Sequence, residues 1–241
     1  MYIKNYLFLT FCILFSNHFI YGQQNLFNVP SGDLTEKHRG FFQHQINAYH
    51  QFQNNITYSY GINHSLEIGC NVFGFTLEPQ NKQVHIVTNQ NDHTQPLSPQ
   101  FLINVQKNIS IGKRLRWANG TQTGLSNFSI PSDSHFSTFN YSEMVYTNRK
   151  NTLKWINGIY LSNKVFMGSG NNIGYLGGIE LSLNKQLKFS ADAIVGNNAS
   201  SVAVIGPCYF LNPHLALSGG WQIPFNPNLN SQAVVFEITL L

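Results

Sequence analysis

The sequence predicts an all-β fold, a single antiparallel transmembrane β-barrel of about twelve strands, and three observations carry that expectation. Apolar and polar residues alternate with period two along most of the chain, with almost no 3.6-residue periodicity. The connections between these segments alternate between tight turns and long polar loops. The polar side of the segments holds Asn, Gln, Ser, Thr and Gly, where a water-facing sheet usually carries Lys and Glu.

Composition and the first residues place the chain. Of 241 residues, 42% are hydrophobic and only 10% charged, against about 25% charged in ordinary soluble proteins. Aromatics reach 14%. The net charge of +4 is small and scattered, which argues against nucleic acid as a partner. Residues 1–22 carry one cation, Lys4, then an apolar run from Tyr6 to Phe15, then a polar stretch ending at Gly22. That is the shape of a signal peptide and is short for a membrane-spanning helix. A lipoprotein signal at "LTFC" is the weaker reading, because bulky Phe11 precedes Cys12 and the apolar run continues past it. Residues 23–39 then read as a short periplasmic segment, and 40–241 as the barrel, located in the bacterial outer membrane.

Segments 40–50, 54–62, 65–77, 99–107, 113–126, 137–147, 152–162, 172–183, 186–196, 200–211, 214–224 and 232–241 read as strands. Each is about nine to thirteen residues, enough for a tilted strand to cross a bilayer. The even-numbered connections are tight, around "NH", "NISIG", "NRKN", "NKQ" and "NP"; the odd-numbered ones are more often long, 78–98 above all. Tight turns at one end and long loops at the other fit a periplasmic and an external rim. The last segment alternates to its end, with Val234, Phe236, Ile238 and Leu240 on one face and Ala233, Val235, Glu237 and Thr239 on the other. In lipid an unpaired backbone edge costs several kcal/mol, so this strand must pair with the first and close the barrel. Outer-membrane lipids are the implied surroundings, and the terminal strand resembles the signal that barrel-assembly machinery reads, with Leu241 where an aromatic is commonest.

Four stretches carry a family resemblance: "LFNVPSGDLTEKHRGFFQHQIN" (26–47), "LEIGCNVFG" (66–74), "GTQTG" (120–124) and "AVIGPCYFLNPHLALSGGWQIPFNP" (203–227). Together they resemble a family of small Gram-negative outer-membrane barrels, uncharacterised or transporter-like. They are more loosely similar to outer-membrane proteins assigned to the phenol-degradation pathway. The resemblance implies fold and location and brings no catalytic or binding residues with it.

Charges within strands are scarce, so each carries weight. Glu67, Arg114, Arg116, Lys154, Glu180 and Lys188 should lie toward the tight-turn end, Asp192 and Glu237 deeper, and Glu143 has an ambiguous phase. On the lipid face an Arg or Lys would cost about 2–4 kcal/mol at mid-bilayer, so these groups should point into the lumen. There they form either a mixed-sign network that stiffens and plugs the barrel or a charged constriction that selects solutes.

Other clusters have plainer explanations. His64–Ser65 sits in a tight turn and Ser134–His135, beside Asp133, in a loop, where turn chemistry accounts for both. His44 and His50 share a strand face and could be joined by His38, but carboxylates and ligands from other strands are wanting for a metal. Cys70 and Cys208 could pair after export, yet each lies in an apolar run and reads better as a separate thiol. No phosphate loop or dinucleotide fingerprint occurs, and no cofactor is expected. The expected function is a passive pore or facilitator for a small solute, not an enzyme. A closed structural or adhesive barrel acting through its loops and a lipid-acting hydrolase are the alternatives.

Overall fold

The structure is a computed structural model and describes residues 25–80, 83–91, 93–127 and 134–241. The expected signal peptide, residues 1–22, and Asp133 lie outside these. The strands are β1 (Gly40–Ala48), β2 (Phe52–Asn63), β3 (Leu66–Gln80), β4 (Gln83–Val87), β5 (Gln100–Ser110), β6 (Leu115–Ser126) and β7 (His135–Thr147). They continue with β8 (Leu153–Ser162), β9 (Ile173–Ser182), β10 (Leu187–Val195), β11 (Val202–Asn212), β12 (Leu215–Pro224) and β13 (Ala233–Leu240). One helical turn, α1 (Lys164–Met167), lies between β8 and β9.

Twelve of these strands close into an antiparallel barrel. Neighbours in chain order pair throughout, β3 passes to β5, and β1 pairs with β13 from Phe42 opposite Leu240 to Ala48 opposite Val234. Closure leaves no edge within the ring. Leu241 lies just past β13, but its N–H donates to the His214 carbonyl at 3.0 Å, and its side chain turns inward against Cys208, Phe210 and Ala216.

The segment 78–98, expected as one polar loop, differs. Its first part is a hairpin in which β4 pairs with the end of β3, Thr76 opposite Val87. The sequence "QVHIV" explains it, since three β-branched residues in five favour extended backbone.

Parity separates two environments. The outward face is exposed and apolar, with Ile103, Ile159, Ile205 and Ile238 between bands of aromatics. Trp117, Tyr146, Trp155 and Tyr209 lie toward the tight-turn end; Phe52, Phe136, Trp221 and Phe225 lie toward the loop end. An apolar belt between two aromatic girdles suits a bilayer and would be a liability in water. The inward face holds buried polar side chains, among them Gln43, Gln45, Thr57, Ser59, Asn71, Asn104 and Gln106.

The tight turns owe their shape to asparagine. Asn63, Asn148, Asn184 and Asn212 each accept a hydrogen bond through Oδ1 from a backbone N–H two to four residues on, at 2.8–2.9 Å (Ser65, Thr152, Gln186, His214). Such side-chain-capped turns set the hairpin register without help from the rest of the fold.

Residues 25–39 overturn an expectation. They do not project from the barrel as a periplasmic segment but run inside it, from Asn25 near mid-lumen to the tight-turn rim. There the His38 N–H donates to the Gly61 carbonyl at 2.8 Å and Lys37 bridges to Gly61. Apolar burial drives the segment inward. Leu26 and Val29 pack with inward Ile156, Leu176 and Val145, and Phe27 packs with Val204 and Val235. Each such side chain gains about 1.5–3 kcal/mol on leaving water.

Glycines on the barrel wall make the seats. A Cβ at Gly178 would stand 2.4 Å from Leu26 Cδ1, and one at Gly61 would stand 2.1 Å from the Glu36 carbonyl oxygen.

Candidate functional site: a lumen in two halves

The tight-turn half of the lumen is ionic and filled. Asp33, carried in by the N-terminal segment, accepts from Arg116 Nη2 at 2.7 Å and from Lys154 Nζ. Glu180 Oε1 lies 3.6 Å from Lys154 Nζ and 3.0 Å from Lys188 Nζ. Arg116, Asp33, Lys154, Glu180 and Lys188 thus alternate in sign across β6, the segment, β8, β9 and β10. Burial works against the ionised Asp33 carboxyl, but the two cations outweigh it and hold the group below the usual carboxylate range.

Further contacts fix the backbone of the segment. Asp192 Oδ2 accepts from three consecutive N–H groups, Phe27 at 2.8 Å, Asn28 at 2.7 Å and Val29 at 2.9 Å. Glu67 Oε2 accepts from the Thr35 N–H at 2.7 Å. Asn108 and Gln106 donate to the Gly32 and Asp33 carbonyls at 2.6 and 3.1 Å. Successive N–H groups converging on one carboxylate form an anion nest, here closed by a residue of the same chain.

Seven of the eight charges expected in the lumen, Glu67, Arg116, Lys154, Glu180, Lys188, Asp192 and Glu237, sit on inward positions of the barrel strands. Glu237 Oε1 lies 3.5 Å from the Ser218 and Thr239 hydroxyls. Arg114 is the correction. It is exposed in the turn before β6, beyond the last β5–β6 pair, Ser110 opposite Arg116. Its parity is inward, but the wall has ended there. Glu143 resolves inward and buried, and among the described residues neither of its oxygens has a hydrogen-bond partner. Sequence reasoning missed Asp33, because "VPSGDLTEKHR" has no periodicity that assigns it a place in a barrel.

The loop-end half is open. A cavity of about 450 Å³ lies between the N-terminal segment and the external loops. Among the described residues around it, none is Asp, Glu, Lys or Arg, and Asn and Gln dominate. Its mouth is narrowed by interlocked loops: the Leu97 N–H donates to the Val165 carbonyl at 3.0 Å, and Ser200 Oγ donates to the Met167 carbonyl at 3.2 Å. Asn163 caps α1, accepting from the Phe166 N–H at 3.2 Å, which seats Phe166 against Phe139.

Among the described residues, hydrolytic and metal chemistry find little footing. His44 Nε2 lies 3.0 Å from Asn54 Oδ1 on the outward face. A Ser/His/Asn arrangement needs a hydroxyl beside that ring, but its same-face strand neighbours are Phe42 and Ile46, and Ile56 and Ile238 stand opposite. Ser65 Oγ donates to Asn63 Oδ1 at 3.0 Å within its turn, and Ser134–His135 stands at the start of β7. His50 lies exposed in the β1–β2 turn, and His38 is 3.4 Å from the Tyr60 hydroxyl. Among the described residues no three His, Cys, Asp or Glu side chains gather as a metal-ligand set. Cys70 and Cys208 are free thiols on opposite faces of the sheet, Cys70 outward and Cys208 inward.

No protein-family model matches the chain, and no curated protein does. Solved structures do. A NanC porin structure superposes with a TM-score of 0.55 at 9% identity, covering 83% of this chain and 98% of the porin. The outer membrane phospholipase A from Escherichia coli superposes with a TM-score of 0.51 at 10% identity, covering 92% and 95%. At such identities the likeness is one of fold, that of outer-membrane β-barrels. The narrower resemblance to phenol-degradation-pathway proteins gains no support from it.

Proposed function

We propose that the protein is a passive facilitator of the outer membrane, admitting a small solute from its loop end and closed in this conformation by its own N-terminal segment. The loop end then faces outward and the tight turns face the periplasm. The supporting observation is the polar cavity, without Asp, Glu, Lys or Arg among its described residues, that ends on a segment seated in the lumen by hydrogen bonds and ion pairs. A barrel acting through its loops alone has no need of such a cavity. The segment joins β1 at the tight-turn rim, so its withdrawal toward the periplasm would clear the lumen without breaking a barrel strand.

Reconstitution tests this reading. Vesicles carrying the folded protein should swell in isotonic arabinose or glycine at a rate that rises with protein per vesicle. Folding is checked by faster gel migration of unheated samples. Correctly folded protein that gives no swelling would favour a closed barrel instead.

A further inference from the structure

We propose that the loop-end cavity is a binding site for a neutral polyhydroxylated ligand, a small saccharide of one to three rings. This deepens the facilitator reading and rests on it for passage, though not for binding.

The distribution of charge excludes other classes first. The ion-paired residues lie in the opposite half of the lumen, and the described cavity wall offers no carboxylate, Lys or Arg to neutralise a charged ligand, only the imidazole of His50. An anion entering it would lose hydration without a counter-charge, which is costly. The amides then select within the uncharged ligands. Each Asn or Gln presents both donors and an acceptor, which suits hydroxyls, since they too donate and accept. Gln43, Gln45 and Asn47 line one wall on β1, and Gln53 and Asn55 continue it on β2. The Gln53 side chain makes no hydrogen bond to another described residue.

The second wall is of another kind. Phe139 on β7, on the far side of the barrel from β1, stacks on Phe166 with ring centroids 4.9 Å apart and planes 16° apart. Phe73 meets Phe166 edge-on at 6.3 Å. All three rings line the cavity. A ligand with hydrogen-bonding edges and an apolar face fits between such walls, and a pyranose ring has both, its C–H face toward the aromatics and its hydroxyls toward the amides. The cavity's 450 Å³ falls within the roughly 300–1,000 Å³ typical of small-molecule sites.

Calorimetric titration of the folded full-length protein tests this with three probes: maltotriose, trigalacturonate and phenol. Saturable binding is expected for maltotriose, with trigalacturonate and phenol giving none. Gln53→Ala and Phe166→Ala should each weaken maltotriose roughly three- to tenfold. Unheated gel migration verifies that both variants remain folded; Gln53→Ala stands alone if Phe166→Ala does not. Absence of maltotriose binding overturns the proposal whether or not vesicles swell. So does equal binding of trigalacturonate, binding of phenol alone, or indifference to Gln53→Ala. Maltotriose binding without vesicle swelling would sink the facilitator reading and leave the site standing.

Discussion

Asp33→Ala should raise the conductance of the barrel, shift it toward anion selectivity and lower its melting temperature. The carboxylate is the shared partner of Arg116 and Lys154, and removing one partner of a buried ion pair costs about 3–5 kcal/mol because the other charge is left behind. Arg116 keeps 33% of its side-chain exposure, so water screens part of that cost and the lower end applies. With Asp33 gone, Arg116, Lys154 and Lys188 face the lumen beside the carboxyls of Glu67, Glu143 and Glu180, and the balance moves by one unit toward positive. That shift favours anions in any path that opens. The checks are reversal potential in a potassium chloride gradient and the temperature at which the fast-migrating gel form disappears. Unchanged selectivity together with an unchanged melting temperature would mean that the ion pairs do not hold the segment.

Asp192→Ala should release residues 27–29 of the segment while sparing the barrel. Three N–H groups, the buried ones of Phe27 and Val29 and the part-buried one of Asn28, lose their acceptor at once. A buried polar group left unsatisfied costs about 1–3 kcal/mol, so the loss exceeds what burial of one of these side chains returns. Hydrogen exchange at residues 27–29 should accelerate by about a hundredfold or more, since each 1.4 kcal/mol of lost protection is tenfold. Amides in the β1–β13 ladder should exchange as before, because that ladder closes through backbone pairs independent of the segment. Protection retained at 27–29 would show that the apolar seats of Leu26 and Phe27 suffice alone.

These effects arise from the part of the molecule that the sequence hid. The ends of the twelve barrel strands were legible to within three residues, because lipid outside and polar side chains inside impose a strict period of two. The tight turns were legible through Asn63, Asn148, Asn184 and Asn212, whose chemistry is local. The docked segment was not legible. Its partners Glu67, Arg116, Lys154 and Asp192 come from four strands far apart in sequence, and only barrel closure brings them together. Leu26, Phe27 and Val29 look unremarkable without the Gly178 and Gly220 gaps that receive them. Arg114 failed for the opposite reason, parity extended one residue beyond the wall. The cavity left only a trace, the low charge of the whole chain, because composition does not say which half of a lumen the charges occupy.

Single-channel current in planar bilayers, recorded from the full-length protein and from a chain lacking residues 25–35, tests most directly whether the N-terminal segment closes the lumen. Both samples are first verified as folded by unheated gel migration. A steady current is expected from the shortened chain and, from the full-length protein, a baseline near zero broken by brief openings. Equal currents from the two, whether both open or both silent, would contradict closure by the segment.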